Sequence, residues 1–364
     1  MEDNKRRKFI KNVGLGAAAI GAGIATSAVP AMAKKEKTYN WKMVTTWPPH
    51  FPMLGESADK IAQWVDEMSG GRLKISVYGG GELVPAMGTF DAVSQGTVEM
   101  GHAASYYWAG KVPAAQFFAA VPFGFNAQSI NAWILSGGGM ELWEEVYAKF
   151  NIKPFLAGNT GAQMGGWFNK EINSMEDFKG LKMRIPGLAG KVLAKAGGSA
   201  ILMAGGDIYT NLERGVIDAT EWVGPFHDLK LGFYKAAKYY YYPGWHEPTA
   251  CIEAIINQQA YDALPVDLQK VVDMAAMAAN QNMLSEYTAN NQRALETLQQ
   301  DHHVQLRAFP EDVLQEFKKY ANQVLIELGQ QSELSQKIFN SYTGFAEQTK
   351  KWLAVSEMAY LKAR

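Results

Sequence analysis

The sequence predicts an α/β protein of two lobes around a cleft, continued by long C-terminal helices. Three observations predict it. A strand, a helix and a second strand open the folded part ("NWKMVTTW", "MLGESADKIAQWVDEMSGG", "LKISVYGGG"), and a connection of that length favours a parallel sheet. A stretch from this first region recurs further along as an internal echo. Residues 267–300 hold 34 positions without proline or glycine, a helical pattern too long for one small lobe to bury.

The elements follow in order. "KRRKFIKNVG" carries paired Arg6 and Arg7, then Phe9 and Ile10; residues 13–29 are rich in glycine and alanine without a charge, and "AMA" closes the stretch at Ala33. This is the form of a cleaved export signal of the twin-arginine kind over residues 1–33. An uncleaved membrane anchor is the alternative, but so small-sided a stretch is a poor span against the roughly 20 strongly apolar residues needed. The signal carries a charge of +3 and the whole chain −1, so the remainder is near −4, no basic field for nucleic acid. The single cysteine, Cys251, excludes an internal disulfide and reads as a small buried filler. About 330 residues after the signal suffice for two core-bearing lobes. Ten tryptophans and 16 tyrosines exceed ordinary packing needs and suit an aromatic-lined cleft.

After the first strand, "PPHF" blocks a helix; Ile61, Trp64, Val65 and Met68 then keep helical spacing until Gly70-Gly71. The echo joins "FDAVSQGTVEM" (90–100) to "YTNLERGVIDA" (209–219) without a gap. Val93 matches Leu212, Gly96 matches Gly215, Val98 matches Ile217 and Glu99 matches Asp218. Glycine after a helix takes the left-handed conformation without steric cost and turns the chain into a strand, with the acid placed to cap or bridge the turn. On this reading "HAASYYW" and "ATEWVGP" face one another across the cleft, where strand ends of open α/β sheets bind ligands. Between the echoes, residues 130–150 form a helix interrupted at Gly137–Gly139, and "NIKPFLAG", "QMGGWFN" and "LKMRI" read as strands. From about Tyr261 the pattern is helical. The expected organisation is 34–157 mainly in lobe I, 158–258 mainly in lobe II, and 259–364 as a helical region packing on both lobes and available to a dimer partner.

No Gly-x-Ser-x-Gly, P-loop or His-Glu-x-x-His signature is present. What remains is polar residues at strand ends: Gln163 after "GNTGA", Arg184 ending "LKMR", Glu221 and Trp222 after the echo strand, and Glu247 after "YYYYPGWH". An arginine so placed forks onto a carboxylate, or else makes a surface salt bridge. Paired glutamates repel unless a cation or proton separates them. Glutamine, glutamate and carbonyl oxygens are hard ligands, suited to sodium or calcium and not to zinc.

"GNTGAQMGGWFNKEINSMEDFKGLKMRIPGLAGKV", "GGDIYTNLERGVIDATEWVGPFHD" and "YYYYPGWHEP" together resemble the solute-binding subunit of tripartite ATP-independent periplasmic (TRAP) transporters. More narrowly they resemble the branch that binds 2-oxo and 2-hydroxy monocarboxylates, and the likeness runs from about Trp41 into the C-terminal helices. The resemblance implies a two-lobed periplasmic binding protein fold of type II-like form and a periplasmic receptor that delivers its ligand to membrane permease subunits. It implies Arg184 on the ligand carboxylate. It implies a sodium or calcium ion held by Gln163, the Glu221 carboxylate, the Trp222 backbone and Glu247, with Gln163 and Trp222 also near the substrate. Asn159, Tyr106 and Tyr107 are candidates for the remaining polar contacts. His246 departs from the pattern, which has a second tryptophan after "PGW". Relatives in this branch pair through exchanged C-terminal helices, which implies a homodimer. The rival reading is a metal-dependent periplasmic enzyme, a lyase or hydratase on such acids, but no residue stands out as a poised general base. An adaptor built on the helical tail fits poorly with a polar cleft.

Overall fold

The computed structural model describes residues 37–364, so the export signal lies outside the described residues. The chain enters as β1 (Tyr39–Thr45), α1 (Leu54–Ser69), β2 (Leu73–Tyr78), α2 (Thr89–Ser94) and β3 (Met100–Ala103). β1 pairs in parallel with both β2 and β3. Two helices broken at Gly137–Gly138, α3 (Ala127–Ser136) and α4 (Gly139–Ala148), lead to β4 (Ile152–Asn159). A second set follows: β5 (Gly166–Phe168), β6 (Lys182–Arg184), α5 (Gly187–Lys195), β7 (Ser199–Ile201), α6 (Gly205–Glu213), β8 (Ala219–Thr220), α7 (Pro225–Leu231) and β9 (Tyr239–Tyr242). β6 pairs in parallel with both β7 and β8.

The two sheets repeat one plan. With β10 (Cys251–Asn257) and β11 (Gln305–Ala308), their orders are β2-β1-β3-β10-β4 and β7-β6-β8-β5-β9-β11. In each, three parallel strands are followed by an antiparallel one. The echo forms the same turn in both. Gly96 and Gly215 have φ of 71° and 69°, and their amides donate to Val93 O and Leu212 O. Glu99 accepts the Lys42 amide within β1, as Asp218 accepts the Lys182 amide at the start of β6. The expected acid bridge is a clasp between neighbouring parallel strands.

One segment is placed differently from the sequence reading. Cys251–Asn257, assigned there to the second lobe within 158–258, is β10 of the first sheet, between β3 and β4. All seven residues are buried, and a run buried on both faces belongs in the middle of a sheet rather than at an edge. The chain therefore crosses between the sheets after β4 and returns after β9.

After α8 (Gln258–Asp262) comes α9 (Val266–Gln300), 35 residues and about 52 Å at 1.5 Å per residue. It packs on α1 and β4 of the first half and on α7 of the second, so it ties the halves together. α10 (Glu311–Gly329), α11 (Glu333–Val355) and α12 (Glu357–Ala363) close the chain. Among the described residues no helix is long and apolar enough to cross a membrane.

Candidate functional site

Parallel strands β6 and β8 end side by side, with Arg184 in register with Thr220. Pro186 follows β6 within two residues and offers no amide to a ladder, while β8 ends at Thr220 and the chain turns into α7 at Pro225. Arg184 and Glu221 thus project from adjacent strand ends, the crevice position of α/β sheets. Both side chains are 1% exposed. Arg184 Nη1 donates to Glu221 Oε1 and, at 3.2 Å, to the Glu221 carbonyl. Nη2 donates to the Tyr107 hydroxyl at 3.4 Å, and the guanidinium lies 5.0 Å from the Trp222 ring centre.

The other half of the cluster comes from two loops held together by glycine. Gly244 donates its amide to the Gln163 carbonyl at 3.1 Å, and any side chain at Gly244 would collide with that carbonyl. This contact sets the loop after β4 against the turn after β9. Gln163 Nε2 donates to Glu247 Oε2 at 2.8 Å and to Thr160 Oγ1 at 3.0 Å, leaving Gln163 Oε1 buried without a donor. His246 Nε2 donates to Glu221 Oε2 at 3.2 Å.

The electrostatics are one positive charge short. Two buried carboxylates face one guanidinium. Burial, and then the Glu221 charge, push the Glu247 carboxyl well above the usual carboxylate range, against the opposing pull of Arg184, Gln163 and Tyr106. A cation would relieve both the repulsion and the orphaned amide oxygen. Among the described residues no group of three His, Cys, Asp or Glu forms a metal cluster. A site here therefore rests on two carboxylates with amide and carbonyl oxygens, the donors of sodium or calcium.

The structure brings Gln163, Arg184, Glu221, Trp222, Glu247, Tyr106 and Tyr107 together. Asn159 is spent on the frame. Its Oδ1 accepts from Gly161 N and Thr249 Oγ1, and its Nδ2 donates to Asn131 Oδ1 and Ala127 O. With these four bonds it shapes the loop carrying Gln163.

Sequence reasoning misses the tryptophan anchors. Trp222 Nε1 donates to His227 Nδ1 at 3.2 Å, and burial lowers the His227 pKa to about 3, so the ring is neutral and Nε2–H donates to the Pro52 carbonyl at 2.6 Å. Trp47 Nε1 likewise donates to His102 Nδ1 at 2.8 Å, with burial lowering the His102 pKa to about 4. The two indoles meet edge-on at 6.3 Å over the site. The space left among Trp47, Tyr106, Gln163, Arg184 and Trp222 is about 10 Å³, room for about one water. A larger hollow of about 290 Å³ between β4, α4 and α9 is lined mainly by Leu135, Met140, Phe155 and Met277, and its Glu144 and Lys153 pair with each other at 2.5 Å. It lacks convergent buried polar groups, so the chemistry lies at the small site.

Residues 43–331 match the family model described as bacterial extracellular solute-binding protein, family 7. The chain is 44% identical over 322 residues, 88% of its length and 87% of the relative's, to a monocarboxylate 2-oxoacid-binding periplasmic protein of a Nostoc species. Among solved structures, it is 45% identical to a TRAP periplasmic solute-binding protein from Pseudoalteromonas atlantica with bound sodium and pyruvate, over 90% of this chain and 100% of that one, at TM-score 0.88. The same identity, coverage and TM-score hold for the Colwellia psychrerythraea protein with bound calcium and pyruvate. A Bordetella bronchiseptica TRAP solute-binding protein, a mixed-occupancy dimer with calcium and picolinate in one site, is 40% identical over 90% of this chain and 97% of that one, at TM-score 0.88. On these matches the chain belongs to the bacterial extracellular solute-binding proteins of family 7, as a TRAP transporter solute-binding protein: a receptor in transport, not an enzyme.

Proposed function

We propose that this receptor captures a small 2-oxo or 2-hydroxy carboxylate of pyruvate or lactate type, together with a sodium or calcium ion, and delivers it to TRAP permease subunits. The observation that carries the reading is the charge-deficient cluster: Glu221 and Glu247 buried against the single Arg184, with Gln163 Oε1 bare. Arg184 is the one guanidinium there and takes the carboxylate. Gln163 Oε1, the Glu221 carboxylate, the Trp222 carbonyl and Glu247 hold the cation, which supplies positive charge and a contact for the ligand's 2-oxygen. Tyr106 and Tyr107 wall the ligand. The bound metals and pyruvate of the Pseudoalteromonas and Colwellia proteins support this assignment.

The small space at the site means that a solute enters only when the two halves part, so capture works by hinge motion across the β4–β5 and β9–β10 crossings. Export by the twin-arginine signal of residues 1–33 delivers the chain to the periplasm. A homodimer forms through the C-terminal helices, where Trp352, Val355, Tyr360 and Leu361 are each at least 63% exposed. Calorimetry with pyruvate, in calcium, in sodium and after chelation, tests the core of the reading. Binding that requires a cation supports it. Affinity equal in all three conditions overturns the cation, and no heat with any 2-oxo or 2-hydroxy acid overturns the solute class.

A further inference from the structure

We propose that His246 is a positioning residue of this site, holding the Glu221 carboxylate in the plane that serves the cation. The inference rests on the solute-plus-cation reading above. Glu221 is gripped at both oxygens, Oε1 by Arg184 Nη1 and Oε2 by His246 Nε2 at 3.2 Å, and all three side chains are at most 1% exposed. The last torsion of a glutamate is broad, so an unheld carboxylate samples many planes; donors on both oxygens select one.

The imidazole has no other polar duty. A carboxylate oxygen only accepts, so Nε2 carries the hydrogen, and Nδ1 is buried without a partner among the described residues. An apolar ring would fill the same volume without that buried polar atom, so packing alone gives no reason for histidine. The ring also rides on a braced turn. The Trp245 carbonyl accepts the Phe123 amide at 2.8 Å, and the Trp245 ring lies 4.2 Å from Phe317 and 5.7 Å, edge-on, from His246. The same turn presents Glu247 and, through Gly244, sets Gln163. One turn therefore sets three oxygen-bearing residues: Glu247 directly, Gln163 through Gly244 and Glu221 through His246.

The test compares His246→Phe, which keeps a ring and loses the donor, with His246→Gln, which keeps a donor near the Nε2 position. Pyruvate affinity is measured by calorimetry in calcium and after chelation, calcium affinity is measured directly, and melting temperature reports the fold. Losing a group that orients a metal ligand costs 10- to 100-fold in metal affinity elsewhere, so the Phe variant is expected to lose about tenfold or more of the calcium-dependent gain. Its chelated affinity stays near wild type, and Gln restores most of the gain. A Phe variant with the full calcium gain overturns the inference. So does a Gln variant that loses as much as Phe with a parallel fall in melting temperature, which marks packing alone. If Phe does not fold, His246→Asn, whose amide is too short to reach Glu221, takes its place against Gln. A wild type that gains nothing from calcium or from sodium overturns the cation reading first, and this inference with it.

Discussion

On the proposed reading, replacing Arg184 by alanine removes the fork for the ligand together with the counter-charge of Glu221. Ligand affinity is expected to fall by roughly 2–5 kcal/mol, the cost of truncating one partner of a buried charge pair. Calorimetry with pyruvate reads that loss. The melting temperature without calcium should fall too, because two buried carboxylates then face no cation, and calcium should recover part of it. Glu221→Gln separates the roles: metal and pyruvate affinity should weaken together, and by linkage each ligand should tighten the other by the same factor in the wild type. Equal calcium affinities with and without pyruvate would show that the two do not share a site. The strand-end polar residues were legible because "LKMR", "ATEW" and "PGWHE" announce where strands stop. What each side chain touches was not. Gln163 was expected as a cation ligand and Asn159 as a further polar contact; in the structure Asn159 closes a loop while Gln163 Oε1 stays bare. That difference depends on Thr249, Asn131 and Glu247, all remote in sequence. The same distance hides the contact of His246 with Glu221.

At the scale of elements, the echo was readable because its logic is local: a helix, a left-handed glycine and a strand within eleven residues. Gly215 isolates the backbone contribution, since a Cβ there meets nothing within 4 Å and only its φ of 69° is unfavourable. Gly215→Ala is therefore expected to destabilise by about 1 kcal/mol without touching ligand affinity, by chemical denaturation. The placement of β10 was not readable, because its partners are set by a second crossing between sheets. Each half is also braced by a buried carboxyl. Asp228 on α7 accepts from Trp167 Nε1 of β5 and Tyr240 OH of β9, and Glu253 of β10 accepts from Trp108 Nε1 and Tyr147 OH. Burial raises both pKa values to about 7, against ordinary values of 3.8 and 4.5. The folded state thus holds protons the unfolded chain releases, so this stability is full below about pH 4 and is lost as pH rises to about 7. Glu247 acts in the same direction. Asp228→Asn keeps the one oxygen that takes both donors, and Glu253→Gln keeps an oxygen for Trp108 while its amide nitrogen donates to the Tyr147 hydroxyl, so the pair should flatten the fall in melting temperature between pH 4 and pH 7. An unchanged slope would place the titration elsewhere.

At the scale of the whole molecule, five exposed large apolar side chains fall close together near the C-terminus of the described residues. α9 buries Val272, Ala279, Met283, Tyr287 and Leu298, while its Val266, Met274 and Met277 are exposed. α10 and the first half of α11 are also core, through Val313, Phe317, Ile338 and Tyr342, whose hydroxyl accepts the Phe125 amide at 3.1 Å. Beyond Lys350 the character changes. Trp352, Val355, Met358, Tyr360 and Leu361 are 50–73% exposed. On the proposed dimer, these side chains meet the equivalent set of a second copy by two-fold symmetry. Sedimentation at micromolar concentration is expected to show a dimer for the full chain. Deletion after Lys350 leaves every buried residue of α10 and α11 in place, so it should give a folded monomer with pyruvate affinity near wild type. Earlier cuts would remove core and say nothing about pairing. A full chain that sediments as a monomer at high concentration, or a truncated chain that still pairs, would remove the C-terminal helices from the interface.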